Sequence, residues 1–552
     1  MKTFAAIMIG SAETEMRIYE FLSRGQMREI DCISTRMNLG VDAYRDGMLD
    51  PEKVQDLVAL LKEFRTIMDA YGVSDYRINA TSALRELRSG LLTRDYIEKQ
   101  TGLKIQIISN SDQRFLDYKA IAFVSKSFEE IIQKGSAIVD IGGNSMQISV
   151  FDKDKLVTTQ NIRMGKISSR EKYFPLAKNA RHYAGMLTEL LEHEMAGFAK
   201  LYQKDRQILN MIILDNDLLD LVSRMSDSAS GERPESGKAS SSKEASSKEP
   251  KHKNAAAKAS GQKEGGQKTT DDVTFHISAE DFRHFYDSFL LLRDDEICEK
   301  YEVSPDTAQR VMQSMIFCRC LLDQLGAQTL WLLDADICDG MAYDFGVAGK
   351  MIRKGHDFDE DIIAASRNIA KRYKCSQAHI KNMEELALGI FDRMKKIHGM
   401  KKRERLLLQI AVILHNCGKY ISLTNVSDCA YNIIMATEII GLSYEERRII
   451  ASAVRFNNAP FQYYSRITSL DPVNREEYLL IAKLTAILRV VNALDRSHRQ
   501  KCAGAVIALR ENELVISVQT KEDLSLEKIT LKERAPFFEE VFNVHPVIRQ
   551  KK

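Results

Sequence analysis

At 552 residues the chain exceeds what one ordinary hydrophobic core accommodates, and its length implies about three or four domains. Its 79 basic and 77 acidic residues nearly cancel, which excludes coating of DNA or a membrane surface by bulk charge. With 44% hydrophobic residues, nine prolines and one tryptophan, the composition favours a helix-rich or α/β protein. No apolar run nears the ~18–20 residues of a membrane span, and the amino terminus has no signal-peptide layout. Nine cysteines without a CxxC, Cys318 and Cys320 standing closest, read as reduced thiols in a cytoplasmic protein, not as a disulfide frame or zinc site.

In chain order, Phe4–Gly10, Asp75–Ala80, Lys104–Ser109 and Ala137–Gly142 have the apolar content of buried strands. Between and after them, 51–71, 91–101, 112–133 and 176–200 carry apolar residues at helical spacing, so strands alternate with helices in an α/β pattern. The stretch 226–272 is rich in Ser, Lys, Ala, Glu and Gly and has no Phe, Tyr, Trp, Leu, Ile or Val. It cannot bury enough apolar area to offset its ordering entropy and reads as a disordered insert. Beyond it, Phe275–Gly326 reads as helix and Thr329–Leu333 as strand. From 348 to 500 the pattern is helical, with polar breaks at 398–403, 422–428 and 457–473. Ala503–Thr530 alternates like a small sheet around a turn at Glu511 and Asn512.

One duplication stands out. AAIMIGSAE at 5–13 and AIVDIGGNS at 137–145 are each an apolar strand ending in a glycine turn, followed by a second strand. Glycine there lets backbone N–H groups approach an anion closely, which suits phosphate. A single such turn is common and weak evidence, whereas two copies in matching context, roughly 130 residues apart, are much stronger evidence for phosphate binding.

With ATSALRE (80–86), IISNSDQRFLDYKA (107–120), RMGKISSREKYF (163–174), DADICDGMAYDFG (334–346), ILHNCGKYIS (413–422), RVVNALDRSH (489–498) and FFEEVF (537–542), the two turns resemble the exopolyphosphatase / guanosine pentaphosphate phosphatase family, within the actin/Hsp70/sugar-kinase superfamily. The resemblance implies an α/β protein with two ribonuclease-H-like, actin-type halves around a phosphate cleft. They would span 1–123 and 124–346, followed by an all-α HD-like domain at 347–500 and a small α+β piece at 501–552. It implies hydrolysis of a terminal phosphoanhydride of inorganic polyphosphate or guanosine pentaphosphate by an activated water, with Mg²⁺ or Mn²⁺, in a homodimer that binds neither DNA nor membrane.

Mapped onto the family's patterns, Gly10, Ser11, Arg85, Gly142, Gly143, Asn144 and Ser145 fall on phosphate-binding positions, Asn144 being a residue that tolerates the left-handed region. The first-loop Asp of DIGSNS becomes Met8, which cannot hold a hard cation. The base of ISGxEEA becomes Gln113, beside Asp112, and Gln cannot take a proton at neutral pH. The carboxylate of DIGGGSTE becomes Gln147 while Asp140 persists. Asp140 and Glu13 are the remaining carboxylates for a metal in the two loops, and Asp112, Gln113, Asp140 and Gln147 form the catalytic set to be located. A later glycine loop is replaced by 212–221, which offers Asp215 and Asp217.

In the HD-like domain the metal ligands fall on His379, His415, Asn416 and either Asn492 or Asp495; Asn416 removes a bridging carboxylate, so His415 reads as a core histidine. The basic turn holding Lys395, Lys396, Lys401, Lys402 and Arg403 reads as the wall of a polyanion channel. Two main functions stand at this point, beside a smaller third, a different phosphate-ester or nucleotide substrate handled by Asp140, Asp112 and Asp217. One is a phosphoanhydride hydrolase, whose activity would rise if carboxylates were restored at 8, 113 and 147. The other is a catalytically disabled relative that binds polyphosphate or guanosine polyphosphates as a sensor or regulatory partner.

Overall fold

The computed structural model describes residues 2–22, 25–125, 127–203, 206–215, 217–222, 274–466 and 473–551, so the insert read at 226–272 lies outside the described residues. Strands β1 (Lys2–Ile9), β2 (Glu13–Phe21), β3 (Met27–Arg36), β4 (Asp75–Ala80) and β5 (Ile105–Ile107) form a sheet of order β3-β2-β1-β4-β5. The short link at 10–12 forces β1 and β2 to pair antiparallel, whereas β4 and β5 run parallel to β1 and so need crossovers. Helices Pro51–Ala70 and Gly90–Thr101 supply them. The first begins where Asp50 accepts from the Glu52 N–H ahead of a first-turn proline.

The second sheet repeats this plan with β6 (Ser136–Ile141), β7 (Met146–Asp152), β8 (Lys155–Ile162), β9 (Asn210–Ile213), β10 (Thr274–Ser278) and β11 (Thr329–Leu333), in the order β10-β11-β9-β6-β7-β8. Again three strands meander antiparallel, and β9 and β11 continue parallel to β6. These are two ribonuclease-H-like, actin-type halves. Phe4, Tyr19, Leu116, Tyr118, Ile138, Phe151 and Met341 form one buried cluster that joins elements of both. Burying each large apolar side chain there contributes roughly 1.5–3 kcal/mol. Helices Asn110–Val124 and Ile337–Ala348 cross so closely within it that a Cβ on Gly340 would lie 2.1 Å from the Leu116 carbonyl oxygen.

Helices Phe358–Arg372, Gln377–Arg393, Lys402–Leu414, Val426–Ala436, Tyr444–Asn458 and Arg475–Leu494 build the helical region. It shares a continuous core with a last sheet of β12 (Val506–Arg510), β13 (Glu513–Gln519) and β14 (His545–Lys551), and with helix Ser525–Phe542. No helix among the described residues is long and apolar enough to cross a membrane.

Three local readings are corrected. The stretch 275–326 is not one helix: it opens in edge strand β10, and Pro305 starts the last of three helices that follow. The helical pattern of 112–133 breaks after Val124 and resumes at Phe128. In the last piece the strands end at Gln519, and Ser525 begins a helix where alternation had suggested more sheet.

Candidate active site

The duplicated turns are the same structure built twice. The Gly10 N–H donates to the Glu13 carbonyl at 2.9 Å, and the Gly142 N–H donates to that of Ser145 at 3.0 Å. Both face a cavity of about 430 Å³ between the sheets, which Gly10, Ser11, Glu13, Gly142, Gly143, Asn144 and Ser145 all line. A Cβ on Gly10 would fall 2.8 Å from the Glu13 oxygen, so this turn closes only around glycine. Beside the first turn, the hydroxyls of Ser11, Tyr44 and Ser82 contact one another, with Ser82 opening the short helix Ser82–Arg85.

Asn144 lies outside the left-handed backbone region, contrary to the use foreseen for it. The constraint sits opposite, at Gly165, where a Cβ would be 2.4 Å from the Asn144 nitrogen. That closeness lets the Ile167 and Ser168 N–H groups donate to the Gly143 carbonyl at 2.9 Å and hold the turn.

Several foreseen residues have other duties. Asp112 is the reciprocal cap of helix Asn110–Val124: its Oδ2 accepts from Ser109 Oγ at 2.6 Å, and it does not line the cavity. Arg85 also stays out of the lining; it donates to the Ile108 carbonyl at 2.8 Å and to Asn110, fixing the start of that helix. Gln113 does line the cavity. Asp140 lines it too, but its carboxylate is held by the Arg114 guanidinium. Gln147 is buried outside it, donating through Nε2 to Glu438 Oε2 at 3.0 Å. Asp215 pairs with Lys166 at 2.9 Å, and Arg310 grips Asp217 at 2.6 and 2.9 Å. Glu13 accepts from Ser34 at 2.9 Å.

The sequence reading missed two carboxylates. Asp117 lies four residues after Gln113, hence on the same helix face one turn on, and it lines the cavity. Helical spacing alone would have found it. Burial, helped by Asp336 and only partly offset by Arg114, pushes its carboxyl up to about 7. Glu438 comes from the loop after helix Val426–Ala436, 291 residues from Gln147, and no local signal announces it. Ser111 Oγ donates to the Ile439 carbonyl at 3.0 Å and Arg447 to that of Thr437 at 3.1 Å, so the loop is anchored on both sides of the glutamate.

Family models match residues 23–212 as the Ppx/GppA phosphatase family and residues 363–535 as domain III of the Ppx/GppA phosphatases. The chain belongs to the Ppx/GppA phosphatase family. A bifunctional 3-dehydroquinate synthase/phosphatase of Fusobacterium nucleatum is 26% identical over 144 residues, 25% of this chain and 21% of that protein. Exopolyphosphatase 1 of Mycobacterium leprae is 21% identical over 189 residues, 34% of this chain and 54% of its own length. The matches thus span about half or less of these curated relatives. An exopolyphosphatase crystal structure from Cytophaga hutchinsonii superposes with a TM-score of 0.51 at 13% identity, over 64% of this chain and all of that one, a likeness of fold.

Ppx/GppA phosphatases generally use a divalent metal, and the donor set here does not fit one. Mg²⁺ asks for near-octahedral oxygen ligands with a carboxylate or two free to bind it. Met8, Gln113 and Gln147 offer none; Asp140, Asp215 and Asp217 each hold a protein cation, Asp117 lies 3.6 Å from Arg114, Asp336 lies 3.9 Å from Arg17, and Glu13 accepts from Ser34. Among the described residues no group of three His, Cys, Asp or Glu is placed to hold a metal.

In the helical region His379 is buried between Asp495, at 2.7 Å from Nδ1, and His415, at 3.1 Å from Nε2, and its ring stacks on His498. His415 Nδ1 lies 2.6 Å from the Val412 carbonyl oxygen, and burial with the neighbouring His379 pushes it down to about 3, so it stays neutral. Of the basic turn, Lys395 pairs with Asp392, Lys402 with Asp359 and Arg403 with Glu446, and none of its five residues, Lys396 and Lys401 included, lines the cleft.

Proposed function

We propose that this Ppx/GppA chain is a phosphoanhydride phosphatase, releasing terminal phosphate from a polyphosphorylated substrate bound between the two halves. Inorganic polyphosphate and guanosine pentaphosphate are the two candidates. The observation that carries the reading is the pair of matched glycine turns facing one cavity, with Asp117 beside them. The turns approach phosphate oxygens through backbone, the Ser11 and Ser82 hydroxyls add donors, and Arg114 supplies fixed positive charge for the developing negative charge of the transition state. Asp117 takes the proton of the attacking water. A base titrating near neutral pH is half ionised where it works, the most effective compromise between availability and basicity. Gln113, one turn away, holds the water by hydrogen bonding without accepting its proton.

Family resemblance adds a homodimer and a cytoplasmic setting, the first measurable by light scattering. The deciding experiment is phosphate release from long-chain polyphosphate and from guanosine pentaphosphate by the purified full chain, with Mg²⁺, with Mn²⁺ and with EDTA. Release that Asp117→Asn abolishes supports the reading. Polyphosphate binding with a steep salt dependence and no release would replace it with the sensor or regulatory alternative.

A further inference from the structure

We propose that the Arg114 guanidinium is the resident cation of this cleft: it takes the position at Asp140 that a divalent ion would need, so that phosphate binds without a metal. The inference rests on the phosphate-cleft reading and deepens it. Arg114 is only 5% exposed, yet it lines the cavity, pairs with Asp140 and lies 3.6 Å from Asp117. One of its terminal nitrogens sits 3.3 Å from where a Gly142 Cβ would be, so the charge rests directly on the second phosphate turn. Its buried Nε has no hydrogen-bond acceptor among the described residues. A guanidinium is planar, permanently charged and shaped for two oxygens of one phosphoryl group, a role a metal otherwise fills as a point charge. With the guanidinium against Asp140, a second cation there would be repelled at short range.

The test combines inorganic tripolyphosphate titrated calorimetrically in EDTA with Mn²⁺ binding followed by electron paramagnetic resonance, on the full chain. Wild type should bind tripolyphosphate in EDTA and leave Mn²⁺ free. Arg114→Met should weaken tripolyphosphate by about 10- to 100-fold, the loss of a charged hydrogen-bonding partner, and should now bind one Mn²⁺. Adding Asp140→Asn to that variant should abolish the Mn²⁺ site. Arg114→Lys, which keeps the charge, should still exclude Mn²⁺ and keeps the test valid should the Met variant not fold. Wild type binding one Mn²⁺ that Asp140→Asn removes, or binding tripolyphosphate only with metal, overturns the proposal. If tripolyphosphate binds under no condition, the phosphate-cleft reading fails, and the proposal that depends on it falls as well; Mn²⁺ exclusion alone would then establish only that Asp140 is blocked.

Discussion

Replacing Asp117 with Asn tests the chemistry most directly, because it removes one proton-accepting oxygen and changes shape little. Burial holds the Asp117 carboxyl at about 7 against an ordinary 3.8. About a tenth of the molecules then carry the base at pH 6, half at pH 7 and nine-tenths at pH 8. Wild-type kcat should therefore climb roughly tenfold between pH 6 and pH 8 and level off above. In Asp117→Asn it should fall by about 10²–10⁴-fold and lose that rise, with KM nearly unchanged. Stability moves the other way. Between pH 4 and pH 7 the unfolded chain releases a proton that the folded chain keeps, so this carboxyl's contribution is full below about pH 4 and is lost as pH rises through 7. The Asn variant lacks that loss, and at pH 8 it should gain on wild type by roughly 2–4 kcal/mol relative to its standing at pH 4. Steady-state phosphate release across pH 5.5–9, with urea melts at the two extremes, reads both effects. An Asn variant that keeps its rate within a few-fold, or keeps the same rise with pH, refutes the assignment.

Asp217→Asn frees Arg310 from a half-exposed bidentate pair at the cavity wall, and tripolyphosphate should bind about two- to fivefold tighter, as titration calorimetry would show. Gly165→Ala drives a Cβ into the Asn144 backbone; it should cost about 1–3 kcal/mol in urea unfolding and weaken tripolyphosphate even where the fold survives. Gln147→Glu places a second carboxylate against Glu438 at hydrogen-bond distance in a buried setting, so it should destabilise the chain by roughly 1–3 kcal/mol at pH 8. Because repulsion raises the new carboxyl's pKa, that deficit should shrink toward pH 5, which a Tm series would reveal. The same variant should therefore not restore activity, against the simplest expectation from the family pattern.

How much of this was legible along the chain depends on the range of the physics involved. The two turns were visible because each is a local event, an apolar strand running into glycine, and duplication made their pairing credible. The sheets' shared order follows from the same local patterns, since short turns impose antiparallel neighbours and helical crossovers impose parallel ones. The edge strand Thr274–Ser278 was absorbed into a helix because its pattern is too short to compete with the long apolar-periodic run after it. Arg85 and Asp112 were placed in the cleft by alignment to a motif, but the start of helix Asn110–Val124 claims both: Ser109 Oγ accepts the Asp112 N–H while the Asp112 carboxylate accepts from Ser109, and Arg85 donates to the Ile108 carbonyl and to Asn110. Glu438 was beyond reach, since only the docking of the helical loop brings it to Gln147.

The missing negative charges are better understood through the internal symmetry than through the family pattern. In the first hairpin Met8 pairs in register with Glu15, and in the second Asp140 pairs with Gln147. Each hairpin thus keeps one carboxylate of the two positions, on opposite strands, and each is met by an arginine: Arg17 holds Glu15, and Arg114 holds Asp140. Burial and Asp336, offset in part by Arg17, push the Glu15 carboxyl up to about 7. Of these four positions only Met8 and Asp140 line the cavity, and there Met8 carries no charge while the Asp140 carboxylate is offset by Arg114. On the proposed reading, Met8, Gln113 and the pairing of Asp140 with Arg114 suit a cleft that handles phosphate through its own cation, with Asp117 as its base.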